Sequence, residues 1–163
     1  MHLGNFLGFK AGKKESTGSP DPWWILHDDM CLVFEDHSNG TPTNSLDVTK
    51  ACQAATHPNW IREWLKLPEK ANIISVLVTP VLKADRDAMP HLKDVYVWKL
   101  DEFRDWAQMA LRIIRELRRD FPGTGDLAWR AIAAEKLQKA GLDAHSIVGT
   151  LVARPADKVL KVD

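Results

Sequence analysis

The stretch that decides the fold is residues 19–38, SPDPWWILHDDMCLVFEDHS. It contains two mostly apolar runs, WWIL at 23–26 and CLVFE at 31–35, separated by a short polar segment centred on HDD. Two such runs joined by a few polar residues predict neighbouring antiparallel strands connected as a hairpin. The hairpin is the reference point for the rest of the chain.

Downstream of the hairpin, the pattern predicts a long helix over residues 47–67. Trp60, Trp64 and Leu67 share one face at i, i+4 and i+7, so we expect the two tryptophans to be buried against the sheet. Pro58 lies within this span and predicts a kink or a restart of the helix. Residues 71–80 then form a continuous apolar run rich in β-branched residues, which is typical of a central strand buried on both faces. Strand, helix and strand in this order predict a right-handed crossover with parallel pairing.

The remaining pattern predicts a strand over residues 95–98 and helices over 101–119 and 127–140. The region before the hairpin predicts only a short strand or an irregular lead-in. The fold class is therefore α/β, with a central mixed sheet of four to five strands flanked by helices. We expect residues 1–122 to form the core and residues 123–163 to form a C-terminal helical extension of the same domain.

Composition excludes several classes of protein. The 163 residues are 45% hydrophobic and 27% charged, which is typical of a globular domain. Lys and Arg number 22 and so do Asp and Glu, so any binding of nucleic acid requires a local basic patch. Two cysteines are too few for a disulfide framework. The apolar runs are too short to span a bilayer, and the first residues do not form a secretory signal, so we expect a cytoplasmic protein without a membrane partner.

Two carboxylates stand where the hairpin strands begin and end. Antiparallel pairing would bring Asp21 and Glu35 side by side at one end of the sheet, with the backbone carbonyl of Asp36 next to them. Oxygen ligands of this kind suit Mg²⁺ or Mn²⁺, which can activate water and bind phosphoryl oxygens. His37 lies two residues after Glu35, so its side chain points to the same face and could contact the attacking water or the scissile phosphate.

This order of motifs and elements resembles the PD-(D/E)xK nuclease superfamily, which has the restriction-endonuclease-like fold, over roughly residues 3–106. The resemblance implies that Asp21 and Glu35 bind the metal. Gln53 and His57 match the Gln that this family often carries on the following helix with an aromatic residue or His four positions later. The implied function is a metal-dependent DNA endonuclease or exonuclease in bacterial or archaeal DNA processing or defence. A helicase or target-recognition protein is an implied partner, and a homodimer is possible.

The sequence departs from the family pattern in two ways. His37 stands where the family has Lys; a histidine can act as a base near neutral pH, and Lys50 on the following helix could supply the positive charge instead. The family also has a full helix before its first strand, whereas this chain begins almost at the strand. These departures leave open the alternative of a catalytically inactive nuclease-fold module that binds nucleic acid or protein. His57 could equally be a core residue beside Pro58.

One further motif has a simpler interpretation. His27 and Asp28 form the HD pair that metal phosphohydrolases use on all-helical scaffolds. Here the pair lies between two predicted strands, so we interpret both residues as turn residues.

Overall fold

The computed structural model describes residues 1–15, 19–27 and 29–163. Within those residues the strands are β1 (Lys10–Gly12), β2 (Trp23–His27), β3 (Met30–Asp36), β4 (Ser45–Leu46), β5 (Asn72–Thr79), β6 (Lys83–Ala84), β7 (Val95–Lys99) and β8 (Lys161–Val162). The helices are α1 (His2–Phe6), α2 (Val48–Leu65), α3 (Leu100–Arg119), α4 (Leu127–Lys139), α5 (Ala144–Val152) and α6 (Ala156–Val159). A 3₁₀ turn, Met89–Leu92, precedes β7.

The described strands form a mixed five-stranded sheet in the order β1-β2-β3-β5-β7. Strands β2 and β3 pair antiparallel as the predicted hairpin, while β3, β5 and β7 run parallel to one another. The predicted α/β class, with a mixed sheet flanked by helices, is confirmed. The parallel pairing of β3 with β5, with α2 between them in the chain, confirms the predicted parallel pairing; the right hand of the crossover stays a prediction.

Alternation along the strands sends side chains to two different layers. One face of the sheet packs against α3 and α5 through a large apolar cluster that includes Trp24, Phe34, Val76, Trp98 and Ile147. The other face packs against α2, where Val33, Leu77 and Val97 of the strands meet Ala54 and Ile61 of the helix. We call this second layer the α2 face.

Helix α2 begins and ends at clear signals. Asp47 caps its first turn, because its side chain accepts a hydrogen bond from the backbone N–H of Lys50 at 2.8 Å. Lys66 ends the helix in the left-handed region, with φ of 53°. The helix is unbroken from Val48 to Leu65, so it does not restart near Pro58, and the alternative of a kink stays a prediction.

Pro58 lacks an N–H and leaves the carbonyl of Ala54 without its helical partner. The hydroxyl of Ser75, on β5, donates to that carbonyl at 2.6 Å. The free carbonyl therefore becomes a link between α2 and the sheet. This link explains how a proline is tolerated in the middle of a helix that packs on the sheet.

The buried stripe of α2 consists of Ala51, Ala54, His57 and Ile61. The prediction that Trp64 is buried against the sheet is wrong, because 42% of this residue is exposed. Trp60 is only half-buried. The face of α2 that packs on the sheet is therefore the Ala51–Ala54–His57–Ile61 stripe, and the two indoles lie outside it.

The C-terminal region is more than a helical extension. Residues from α5 complete the apolar cluster on the α3 side, and Ala156 and Leu160 complete the cluster on the α2 face. The chain then ends in β8, which pairs parallel with β6 in a small sheet of order β4-β6-β8. Residues of α5 and α6 therefore belong to the core, and β8 adds a short strand to the helices of the predicted extension.

The N-terminal lead-in is ordered as a short helix and a short strand. Helix α1 has five residues, and β1 pairs antiparallel with β2 at the edge of the large sheet. In the part of the chain that the structure describes, no helix is both long enough and apolar enough to cross a membrane.

Candidate active site

Asp21 and Asp36 meet at the end of the hairpin. The ladder pairs Trp23 with Val33, and continuing this register by two residues places Asp21 across from Glu35. The carboxylate of Asp21 accepts a hydrogen bond from the backbone N–H of Asp36, with a distance of 2.7 Å between Oδ2 and N. Because the N–H and C=O of one strand residue point to the same side, the carbonyl of Asp36 also points toward Asp21. The side chain of Asp36 is exposed and accepts from the N–H of Ser38 at 2.8 Å.

Glu35 is a buried carboxylate with two basic partners. It is 4% exposed and lies on the α2 face with Val33. Its Oε1 accepts a hydrogen bond from the ammonium of Lys50, and its Oε2 lies 2.5 Å from Nε2 of His57. Lys50 and His57 are two helical turns apart on α2, so the helix places both against the same strand end. A buried charge is tolerated only when it is paired in this way.

The charges at this edge act on each carboxylate differently. Burial favours the neutral form of Glu35, but the hydrogen bonds and charges of His57 and Lys50 prevail and hold its pKa below the usual range. Burial raises the pKa of Asp21, and the neighbouring charges of Glu35 and Asp36 raise it further. The N–H of Asp36 partly offsets this rise. Asp21 therefore lies where an added cation would relieve electrostatic repulsion.

His37 lies at the same edge of the sheet, directly after the last residue of β3. Its Nδ1 lies 3.1 Å from the hydroxyl oxygen of Thr79, which also accepts a hydrogen bond from the N–H of Val81 at 3.2 Å. Gly40 lies against the imidazole, where a Cβ would come within 2.9 Å of the ring. Burial and the positive charge of Lys50 lower the pKa of His37. The ring is therefore neutral near pH 7, with Thr79 fixing its orientation.

Gln53 lies on α2 between Lys50 and His57, one turn from each. Helical geometry places all three side chains within about 60° of one another around the axis. The amide oxygen of Gln53 is buried and has no hydrogen-bond partner within the described residues. An unsatisfied buried acceptor is costly in free energy.

The residues fit a divalent cation only in part. Among residues 1–15, 19–27 and 29–163, no group of three or more His, Cys, Asp and Glu side chains could hold a metal ion. An ion here would depend on the carboxylates of Asp21 and Glu35 and on the carbonyl of Asp36. These are the oxygen donors that Mg²⁺ and Mn²⁺ prefer. The observation in favour of this fit is the hairpin register, which places Asp21 across from Glu35, with the Asp21 carboxylate bonded to the N–H of Asp36.

The structure brings most of the sequence-predicted residues to one edge. Asp21 lies just before β2 and across from Glu35 at the end of β3, and His37 follows β3 directly. Lys50 and Gln53 lie in the first two turns of α2. His57 joins them, but it is 2% exposed and bonded to Glu35, so it braces the carboxylate and does not face outward.

Two functional positions were missed in the sequence. Thr79 orients His37, and Ser75 anchors α2, yet both sit in a run that was interpreted as a uniformly apolar strand. The signal that could have found them is their spacing, because Ser75 and Thr79 share a face and Thr79 directly precedes Pro80. Asp28, the second residue of the HD pair, lies outside the described residues.

Comparison with known proteins adds no relative. No family model, no curated protein and no solved structure matches this chain.

Proposed function

We propose that this protein is a metal-dependent deoxyribonuclease with a restriction-endonuclease-like fold, in which Lys50 supplies the positive charge that the family lysine would provide. The observation that carries the proposal is the buried Glu35 carboxylate, bonded to Lys50 on one oxygen and to His57 on the other, next to Asp21. The proposed setting is the cytoplasm of a bacterial or archaeal cell, with a helicase or target-recognition protein as a partner.

The proposed roles follow from position. Asp21, Glu35 and the carbonyl of Asp36 would hold Mg²⁺ or Mn²⁺, which supplies a water of lowered pKa and offsets charge on the phosphate. Lys50 places an ammonium beside the carboxylates, where it can stabilise negative charge that develops on the phosphoryl oxygens. His37 is neutral and oriented by Thr79, so it can accept a proton from, or position, the attacking water.

Gln53 and His57 would support the site rather than react. The unpartnered amide oxygen of Gln53 could accept a hydrogen bond from a substrate amino group or a bound water. His57 keeps Glu35 ionised and fixes its orientation. A positioning residue of this kind affects the rate through the carboxylate that it holds.

The experiment is cleavage of plasmid and linear DNA in Mg²⁺, in Mn²⁺ and in EDTA. We expect cleavage that requires metal and that falls at least about 100-fold in Asp21→Asn and in Lys50→Met. Lys139→Met is the matched control, because Lys139 is exposed on α4 and pairs with Glu135 on its own helix. Equal loss in the control would contradict the assignment of Lys50.

A second set of variants tests His37. We expect His37→Ala to reduce cleavage, and His37→Lys to maintain or raise it, because the latter rebuilds the family pattern. Wild-type activity should fall as the pH drops through the lowered pKa of His37, since protonation removes the lone pair. If wild type and both variants leave DNA uncut in either metal, the catalytic proposal fails.

The alternative is a catalytically inactive nuclease-fold module that binds nucleic acid or protein. One observation favours it: both oxygens of Glu35 are already occupied by basic side chains, so the carboxylate needs no metal to be stable. Titration with Mn²⁺ separates the two functions. A catalytic site should bind Mn²⁺ and lose this binding in Asp21→Asn, whereas an inactive module should bind its partner equally well with and without metal.

A further inference from the structure

A pocket of about 350 Å³ lies beside the candidate active site and contains three lysines, Lys83, Lys99 and Lys161. They come from three distant parts of the chain, namely β6, the end of β7 and the C-terminal strand β8. The overall net charge is zero, so positive charge collected in one concave place is a local feature of the fold.

Sheet register places this pocket next to His37. Thr79, which is bonded to His37, pairs with Lys99 on β7, and Val81 lines the pocket while donating its N–H to Thr79. Lys99 follows Val97 by two residues, so it points to the α2 face as the site does. Two strand spacings separate β3 from β7, or about 10 Å, which is the rise of about three nucleotides of one DNA strand.

The lysines are only partly neutralised. Lys83 pairs with Asp163 at 2.8 Å, while Lys99 is 4.0 Å from Glu102, which also bonds Arg154. Lys161 has no ion-pair partner among the residues that the structure describes. The excess charge therefore belongs mainly to Lys99 and Lys161, which line the pocket together with apolar residues such as Val81 and Leu160.

The end of the chain is held so that Lys161 stays at this pocket. Asp163 accepts hydrogen bonds from Ser45 at 2.5 Å and from Lys83, and its N–H donates to the carbonyl of Ala84. The N–H of Lys161 donates to the carbonyl of Leu82 at 3.1 Å. These bonds fix β8 in a parallel ladder with β6, so the position of Lys161 is built into the fold.

From these observations we propose that Lys99 and Lys161 bind backbone phosphates of a nucleic-acid strand, with Lys83 holding the end of the chain in place. This inference rests on the proposed function, because it assigns the path of the substrate on one side of the same site. The ligand class is a polynucleotide phosphodiester, which lysine recognises as a point charge whatever the base sequence. The C-terminal strand thereby takes part in binding substrate.

The test measures binding of a labelled single-stranded oligonucleotide with a 5′-hydroxyl end, by fluorescence anisotropy in EDTA over a range of salt. The variant is Lys99→Gln/Lys161→Gln, and the matched control is Lys70→Gln/Lys139→Gln, which removes the same charge from sites elsewhere. We expect the pocket variant to bind about 10- to 30-fold more weakly near 0.1 M salt and to flatten the salt slope by about 1.4. Thermal melting of both variants checks that they are folded.

Each outcome decides the inference. The inference would be overturned if the pocket and control variants bound the oligonucleotide with equal affinity and equal dependence on salt. It would also be overturned if a competition experiment showed that these lysines bind inorganic phosphate and not the oligonucleotide. If the oligonucleotide binds through these lysines but wild type cuts nothing in Mg²⁺ or Mn²⁺, this inference stands and the catalytic proposal fails. If metal-dependent cleavage is present and the lysine variant binds and cuts as wild type does, this inference alone fails.

Discussion

The two faces of the large sheet use alternate residues of the same strands, yet they differ in chemistry. The face under α3 and α5 is filled by tryptophan, phenylalanine and aliphatic side chains. The buried polar residues of the described chain, which are Glu35, His57, Ser75 and Thr79, all belong to the α2 face. Burying polar groups costs free energy unless they are paired. The comparison indicates that one face is specialised for packing and that the other combines packing with a polar cluster suited to chemistry.

The largest loss of stability and of DNA cleavage should come from Glu35→Ala. Removing the carboxylate leaves Lys50 and His57 without their shared partner, and breaking a buried ion pair costs about 3–5 kcal/mol. We expect the unfolding temperature to fall by about 2–4 °C for each kcal/mol, and DNA cleavage to fall to background. Chemical denaturation and plasmid cleavage measure these losses. A stable Glu35→Ala protein would show that the polar cluster contributes little to the fold.

A comparable loss of stability should arise on the opposite face without any loss of metal response. Leu32 is fully buried in the apolar cluster, so Leu32→Ala should cost about 2–5 kcal/mol through the cavity that it leaves. If the proposed metal site exists, added Mn²⁺ should stabilise wild type and Leu32→Ala by the same amount. Melting curves with and without Mn²⁺ provide the measurement. If this variant also loses its metal response, the two faces are not independent.

A smaller loss of stability should show that the hydroxyl of Ser75 compensates for the helical hydrogen bond that Pro58 removes. Ser75→Ala leaves the carbonyl of Ala54 buried without a partner, at a cost of about 1–3 kcal/mol. Pro58→Ala restores an N–H that can bond this carbonyl within the helix, so Ser75→Ala should cost less in that background. A double-mutant cycle measures the difference. Additive effects would show that the hydroxyl of Ser75 does not replace the missing helical bond.

The smallest effect should be a gain of stability in Asp21→Asn without metal. The raised pKa of Asp21 means that its charged form is disfavoured in the folded protein, so removing the charge raises the unfolding temperature at pH 7. The gain should shrink as the pH falls toward the ordinary value of 3.8, where the carboxyl becomes neutral in both folded and unfolded protein. Calorimetry from neutral to acidic pH provides the measurement. A loss of stability at pH 7 would mean that the hydrogen bond from Asp36 outweighs the repulsion.

The main elements of the fold were predictable because each has a strong local signal. The hairpin, the buried strand β5 and the helices α2, α3 and α4 all follow from runs of apolar residues and from breaks at polar segments or glycine. The sequence also offered Lys50 as a source of positive charge for the site, because it lies one turn before Gln53 on the predicted helix; its bond to Glu35 was not predicted. Such features depend on residues that are near one another in the chain.

The failed predictions concern contacts between distant segments. The indole of Trp64 was expected to be buried, but the face of α2 that packs on the strands is formed by Ala51, Ala54, His57 and Ile61. Strand β8 has only two residues, and it exists because β6 offers an open edge. No local pattern predicts either result, because both depend on which surfaces remain after the larger elements have packed.

By itself, the sequence determined the order of the strands and helices and the positions of Asp21 and Glu35 at strand ends. The reason is that the periodicity of apolar residues and the residue preferences of turns are properties of short segments. Tertiary structure alone decided that His57 binds Glu35 and that Thr79 orients His37. It also decided that Lys99 and Lys161 share one pocket. In each case the partners are far apart in the chain, so only the stacking of strands and the placement of α2 bring their polar atoms within reach of one another.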